Sequence, residues 1–415
     1  MSLLLVQIMI VLILALICGN ISLRLGQARV IGEIFGGIFL GPSVFGRLFP
    51  HASAAVFPAN SLGSLEVLSN IGLILFLLII GSELDFAHLR KQTLTVSLAS
   101  AMSILLPFMM AMFTAHAIRS RFAPHGIGGL AFTLFLGISL SITAFPVLAR
   151  ILEERGLQTS KLGATALMCA AFDDVCAWSL LAAAVAMLHN GASTSTPRRL
   201  LYLAGYLAVM IGVIRPLGKW IARRYAGKPL SYELLGVFLA IVLASAAATD
   251  AIGVHPLFGA FIAGLCFPRV KPWQQALRTR LDMVVSILLL PLFFALTGMK
   301  TRLDLLNDST TWLWTGIVLL IAVVGKVGGA VIAARFTRQS WKNAWALGFL
   351  LNTRGLVELI VLNIAYDAHV FSPALFTMLV VMALLTTMAT TPLLNWIGIE
   401  NNNLDRPRLV IAEAA

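Results

Sequence analysis

Two carboxylates stand side by side within an apolar run, Ala171-Phe172-Asp173-Asp174-Val175, inside the stretch 161–187. An acidic residue at the centre of a bilayer-spanning helix costs about 2.5–3.5 kcal/mol on insertion scales, so such residues are rare and functional. Away from water and beside a like charge, a carboxylate favours taking up a proton or a metal cation. Competition of the two for the same oxygens is the simplest chemistry for exchanging one against the other. The plainer alternatives are a loop position or a structural ion pair. Apolar sequence extends well beyond the pair on both sides, which argues against a loop.

Other residues fit around this pair. Lys326, in VVGKVGGAV, is the natural counter-charge, because a buried lysine prefers a carboxylate partner. The sequence leaves open whether it releases Asp173 during a cycle or bridges it statically. Ser141, Thr143 and Pro146 lie in GISLSITAFPVLARIL and mark a break in that helix. Free carbonyls and hydroxyls at such a break supply neutral ligands for a hard cation, and the half-helix ends supply dipoles. A simple proline kink is the alternative. Arg354 and Glu358 are four residues apart and can pair across a turn, supporting a second break at Asn352-Thr353 and Gly355. Glu83, in IIGSELDF, either lines an access funnel or sits at a solvated helix end. Glu33 reads as a packing or gating residue and His255 as a loop residue. The glycine pairs Gly36-Gly37 and Gly328-Gly329 read as close helix contacts rather than phosphate loops.

These residues need a frame to hold them, and the composition says what kind. The chain has 415 residues, 59% hydrophobic and 12% charged, where a soluble domain carries about 25% charged residues. Apolar runs recur at 3–22, 29–46, 65–85, 94–117, 127–149, 161–187, 201–221, 233–248, 254–268, 281–299, 311–334, 343–365 and 373–397. They are too long for barrel strands, so the expected fold is all-α, with about 13 transmembrane helices. The first run has no basic leader or cleavage signal and is expected to remain in place as a span. A single transmembrane domain over 1–400 and a short polar tail over 401–415 follow, with no soluble domain after the last span.

Roughly three-quarters of the basic loop residues fall after odd-numbered spans, which places the N-terminus outside and the C-terminus in the cytoplasm. The formal net charge of +12 is then mostly an orientation signal, with no nucleic-acid partner implied. Cys18, Cys169, Cys176 and Cys266 form no CxxC pair, so neither a disulfide nor a metal site is expected. No nucleophile elbow, phosphate loop or cofactor fingerprint stands in a convincing context, so neither an enzyme nor a cofactor is indicated. An offset of seven spans pairs the break near Pro146 with the break near Gly355, and the Lys326 span with 94–117. An odd offset inverts orientation, the pattern of inverted repeats with two discontinuous helices meeting at the midplane.

With these residues in view, the chain resembles the cation:proton antiporter superfamily, in the branch holding bacterial sodium/proton antiporters, glutathione-gated potassium efflux antiporters and plant cation/proton exchangers. The matching stretches are IGEIFGGIFLGPS, ILFLLIIGSELD, SITAFPVLARIL, FDDVCAW, GVHPLFGAFIAGLCFP, LPLFFALTGMKT and NTRGLVELIVLNI. The resemblance implies a homodimer in the inner or plasma membrane and elevator-like alternating access. It implies core helices at approximately 94–187 and 311–397, with spans 5 and 12 crossing, and dimerisation helices at approximately 1–86 and 201–299. Asp174 matches the family's cation- and proton-binding aspartate, and Asp173 the position before it. Two acids there imply electrogenic exchange, two protons per ion. Potassium-linked branches usually carry an amide where Asp173 stands, while the flanking motifs are most similar to the plant exchangers. The chain does not show the nucleotide-binding domain of the gated efflux systems, so nucleotide gating is not expected. The favoured expectation is sodium/proton exchange, with lithium as a further possible ion. Potassium/proton exchange, a sodium-coupled organic anion symporter and a channel are the alternatives.

Overall fold

The computed structural model describes residues 2–83, 94–124, 126–157, 160–188, 196–225, 227–252 and 254–399. Among them the chain is helical throughout, in the order α1 (Ser2–Arg24), α2 (Arg29–Leu40), α3 (Phe45–Leu48), α4 (Pro50–Val56), α5 (Ala59–Glu83), α6 (Leu94–Phe122), α7 (Gly129–Ser141), α8 (Phe145–Glu154), α9 (Lys161–Leu188), α10 (Thr196–Val209), α11 (Arg215–Arg224), α12 (Tyr232–Ile252), α13 (Pro256–Cys266), α14 (Lys271–Val284), α15 (Leu290–Lys300), α16 (Ser309–Phe336), α17 (Trp341–Leu351), α18 (Leu356–Asp367) and α19 (Pro373–Trp396). Two π-helical turns, Met210–Ile214 and Val285–Leu289, join α10 to α11 and α14 to α15.

Ten helical stretches among the described residues are long and apolar enough to cross a membrane, and α17 with α18, bent by 41° at their junction, make an eleventh. This is a multi-pass membrane protein. The expected stretch 127–149 divides between α7 and α8, and 254–268 becomes the 11-residue α13. Each of these helices is shorter than the roughly 20 residues a full crossing needs. The sequence anticipated 281–299 as a separate span; the helical path there begins earlier, at Lys271, and runs through a π turn to Lys300.

The helices sort into two compact units. One comprises Met1–Gly19, Gly32–Phe86 and Trp178–Lys300. Its core includes Val11, Leu40, Phe57, Leu65, Leu292 and Leu296. Lipid tails offer no hydrophobic drive for helix association, so small residues that let backbones approach set the crossings. Gly81 on α5 and Gly264 on α13 meet this way: a Cβ on Gly264 would lie 2.8 Å from the Leu78 carbonyl and 2.9 Å from Gly81 Cα.

The other unit comprises Asn20–Ile31, Ala87–Ala177 and Thr301–Ala415. Its core draws on α8, α9, α16 and α17 through Leu148, Leu152, Ala170, Val327, Ala330 and Leu350. In it α6 and α16 cross closely, since a Cβ on Gly325 would come 2.7 Å from Pro107 Cα. Lys326, next in sequence, is thereby carried deep into this unit and is fully buried.

Candidate functional site

Both breaks anticipated in the sequence are present, and they meet. α7 ends at Ser141, Ile142 is extended (φ −77°, ψ 139°), and α8 starts at Phe145. α17 ends at Leu351 and α18 starts at Leu356. The backbone N–H of Ala144 in the first break donates to the Thr353 carbonyl in the second, at 3.0 Å. Broken helices leave backbone groups unpaired, and in an apolar setting each must find a partner.

Cationic side chains satisfy the end of α7. Arg354 donates to the carbonyls of Ser139 (2.9 Å) and Leu140 (2.8 Å), and Lys326 Nζ donates to the carbonyl of Ser141. Two positive charges thus face the negative end of the half-helix dipole. Arg354 also lies 3.4 Å from Glu358 Oε1, in the first turn of α18, where a negative charge is favoured. The ammonium of Lys326 reaches three acceptors: Ser141 O, Asp173 Oδ2 at 3.2 Å and Ser103 O at 3.4 Å. Three donors are all that an ammonium has.

The acidic pair sits on α9, and each aspartate is only 1% exposed. Asp173 Oδ2 accepts from Lys326 and, at 2.6 Å, from the Thr143 hydroxyl. The Thr143 oxygen also lies 2.8 Å from the Leu351 carbonyl at the end of α17. Asp174 takes a hydrogen bond from the backbone N–H of Phe145, the first residue of α8, and so faces the positive end of that half-helix. One oxygen on each aspartate, Asp173 Oδ1 and Asp174 Oδ1, has no hydrogen-bond donor among the described residues. A buried carboxylate oxygen left this way is costly unless a proton or cation takes it. No group of three or more His, Cys, Asp or Glu side chains suited to a resident metal occurs among the described residues.

The expected ligands divide. Thr143 lies in the break and touches Asp173. Ser141 ends α7 and reaches Asp173 only by way of Lys326, which its carbonyl accepts from; its hydroxyl turns back 2.7 Å to Gly137 O in its own helix. Pro146 falls in the first turn of α8, where a missing N–H costs nothing, rather than in the unwound segment. Glu83 is the last residue of α5, in the unit that does not hold the pair; its side chain is outside the described ones. Sequence reasoning missed the threonines of α19. The Arg354 backbone N–H donates to Thr387 Oγ1 (2.9 Å), the Thr387 hydroxyl donates to Arg354 O (2.7 Å), and Thr353 and Thr390 hydroxyls lie 3.5 Å apart. Their signal was the polar run Thr386-Thr387-Met388-Ala389-Thr390-Thr391 inside a span. Asn352, named only as an interruption, is 5% exposed with an Oδ1 that has no donor among the described residues.

A family model described as sodium/hydrogen exchanger, transmembrane, matches residues 10–396. The chain is 39% identical over 393 residues to the Na(+)/H(+) antiporter NhaS4 of Synechocystis, covering 94% of this chain and 96% of that one. It is 42% identical over 398 residues to Cation/H(+) antiporter 17 of Arabidopsis thaliana, covering 95% of this chain and 48% of that one. The chain therefore spans about half the length of such plant relatives. In three dimensions it is similar to the sodium proton antiporter MjNhaP1 of Methanocaldococcus jannaschii, with a TM-score of 0.69 at 15% identity, over 96% of this chain and 97% of that one.

Proposed function

Because the chain belongs to the transmembrane sodium/hydrogen exchanger family, a family of cation/proton antiporters, we propose that it exchanges a monovalent cation, sodium first, for protons at Asp173 and Asp174. The observation that carries this reading is the pair of buried carboxylate oxygens, Asp173 Oδ1 and Asp174 Oδ1, that lack a donor among the described residues while the Lys326 ammonium is spent on Asp173 Oδ2, Ser141 O and Ser103 O. Both oxygens can take a proton or turn to a dehydrated cation, and they cannot do both. Exchange follows from that exclusion when the site opens to one side at a time. Two carboxylates against one lysine give room for two protons per cation, so the exchange is electrogenic.

In this reading the unit that holds the carboxylates is the transport core, and the unit of α5 and α13 is the scaffold of a homodimer. The protein lies in the inner or plasma membrane, N-terminus outside and C-terminus cytoplasmic, as its basic loops suggest. Arg354 and Glu358 hold the breaks open rather than meeting the ion.

The test is proton movement in proteoliposomes on addition of sodium, lithium or potassium, with Asp174→Asn as control. One cation dissipating an imposed pH gradient, with the variant silent, supports the reading and names the ion. Silence from all three over roughly pH 6 to 9, the range of raised carboxyl values, removes it in favour of cation-coupled symport of an organic anion.

A further inference from the structure

Far along the sequence from the acidic pair, within the other unit, three cations follow one another at four-residue spacing: Arg215, Lys219 and Arg223 on α11. Four residues is close to one helical turn, so they form a stripe, and like charges so placed repel. They line a pocket of about 300 Å³, whose opposite wall is the turn from α13 to α14 and contributes a fourth cation, Arg269. No acidic side chain is among the described residues lining it. The N-terminus of the 14-residue α14 opens at the same wall, where Val270 is its N-cap and gives no side-chain cap. The positive end of a helix dipole is thus added to four positive side chains.

The walls are fixed to each other. A Cβ on Gly218 would already be 3.4 Å from both Cys266 O and Pro268 Cγ. Cys266 Sγ lies 3.4 Å from the Met210 carbonyl in the π turn that precedes the stripe. Trp273 Nε1 donates to Lys228 O at 2.9 Å, tying the start of α14 to the chain just after α11. Cys266 and Phe267 also line an apolar cleft of only about 20 Å³ between Leu217, Ile221, Phe238 and Val242, too small for a hydrocarbon chain. A pocket of four cations with no carboxylate among its described lining residues matches a compact anion such as a phosphate group.

We propose that this pocket binds a phosphate-bearing anion, either the headgroup of an anionic phospholipid or free phosphate. Arg215, Lys219, Arg223 and Arg269 hold the phosphate, as basic pockets between transmembrane helices do. The site is independent of the cation exchange proposed above.

The experiment uses the whole purified protein in neutral detergent, with binding read by native mass spectrometry and by the shift in thermal unfolding. The probes are phosphatidylglycerol, phosphatidylcholine and inorganic phosphate. Phosphatidylglycerol is expected to bind in preference to phosphatidylcholine. Lys219→Gln with Arg269→Gln is expected to weaken it about thirtyfold, since each juxtamembrane cation contributes about fivefold. Lys161→Gln with Arg338→Gln removes the same charge elsewhere and is expected to leave binding unchanged. Lys219→Arg with Arg269→Lys, which keeps every charge, is expected to retain it even if the neutral pair folds poorly. Displacement of phosphatidylglycerol by inorganic phosphate at equal concentration supports the proposal with free phosphate as occupant, and resistance to it supports the proposal with the lipid headgroup as occupant. Equal binding of phosphatidylglycerol by the neutral pair, or no preference over phosphatidylcholine together with no phosphate binding, overturns the proposal.

Discussion

Lys326 and Asp173 are both fully buried and 3.2 Å apart. Removing one partner of such a pair leaves an uncompensated charge in a medium that cannot solvate it, whereas replacing both with apolar residues does not. Lys326→Met is therefore expected to lose about 3–5 kcal/mol of stability, and Lys326→Met with Asp173→Leu to recover most of that loss. Thermal unfolding of the single and double variants measures it; equal loss in both would show that packing, not charge, governs the position. The acidic pair was legible because charge is conspicuous in an apolar run. Ser141 and Pro146 were not read well, for a physical reason. Residue type announces a hydroxyl or a missing N–H, but the Lys326 contact uses a main-chain carbonyl, which every residue has.

A break in a helix leaves a spacing signal in sequence, and both breaks were anticipated within a few residues. What crosses them was not, because crossing depends on backbone proximity between segments some two hundred residues apart. Gly355 shows the constraint. Its φ of 159° with ψ of −128° is glycine territory, and a Cβ there would come 2.7 Å from Val147 Cγ2 on α8. Gly355→Ala is expected to reduce exchange at least tenfold, as about 1.4 kcal/mol of lost site geometry would. Val147→Ala in the same chain is expected to restore part of it, measured as initial rates in proteoliposomes. Elsewhere in the same unit, Asp308 caps α16 by accepting from the Thr311 N–H at 3.0 Å. The Thr311 hydrogen bonds, from its side chain and then its backbone, hold this carboxyl below its ordinary value. A depressed value means the ionised cap stabilises the fold above the unfolded carboxyl's value of about 3.9, and that this is lost as pH falls through the lower folded value. The unfolding midpoints of wild type and Asp308→Ala should therefore differ at neutral pH and converge as the pH falls below the ordinary carboxylate range.

Over the whole molecule, composition and hydropathy carried most of what the structure contains: an all-helical membrane protein with its spans close to their expected positions. The short helix α13 read as a full span in sequence because hydropathy counts apolar residues and does not see where a helix ends, whereas α7 and α8 read as one span with a break. Orientation rests on charge alone and can be tested on exposed positions. In a chain with Cys18, Cys169, Cys176 and Cys266 replaced, Arg47→Cys is expected to react with a membrane-impermeant maleimide on intact cells. Lys228→Cys is expected to react only after permeabilisation. The reverse pattern would invert the topology and turn the proposed phosphate pocket to the opposite side of the membrane.

The Thr143 hydroxyl lies within reach of two acceptors, Asp173 Oδ2 and the Leu351 carbonyl. It has one hydrogen to give. While Asp173 is ionised, that hydrogen is claimed by the carboxylate and the last carbonyl of α17 goes without it. Once a proton or a cation at Oδ1 cancels the charge of Asp173, Oδ2 becomes a weaker acceptor and the Leu351 carbonyl competes for that hydrogen. In the exchange proposed above, a single O–H would divide between two addresses, and the second helix of the crossing would be informed of the charge on Asp173 without any side chain having to travel.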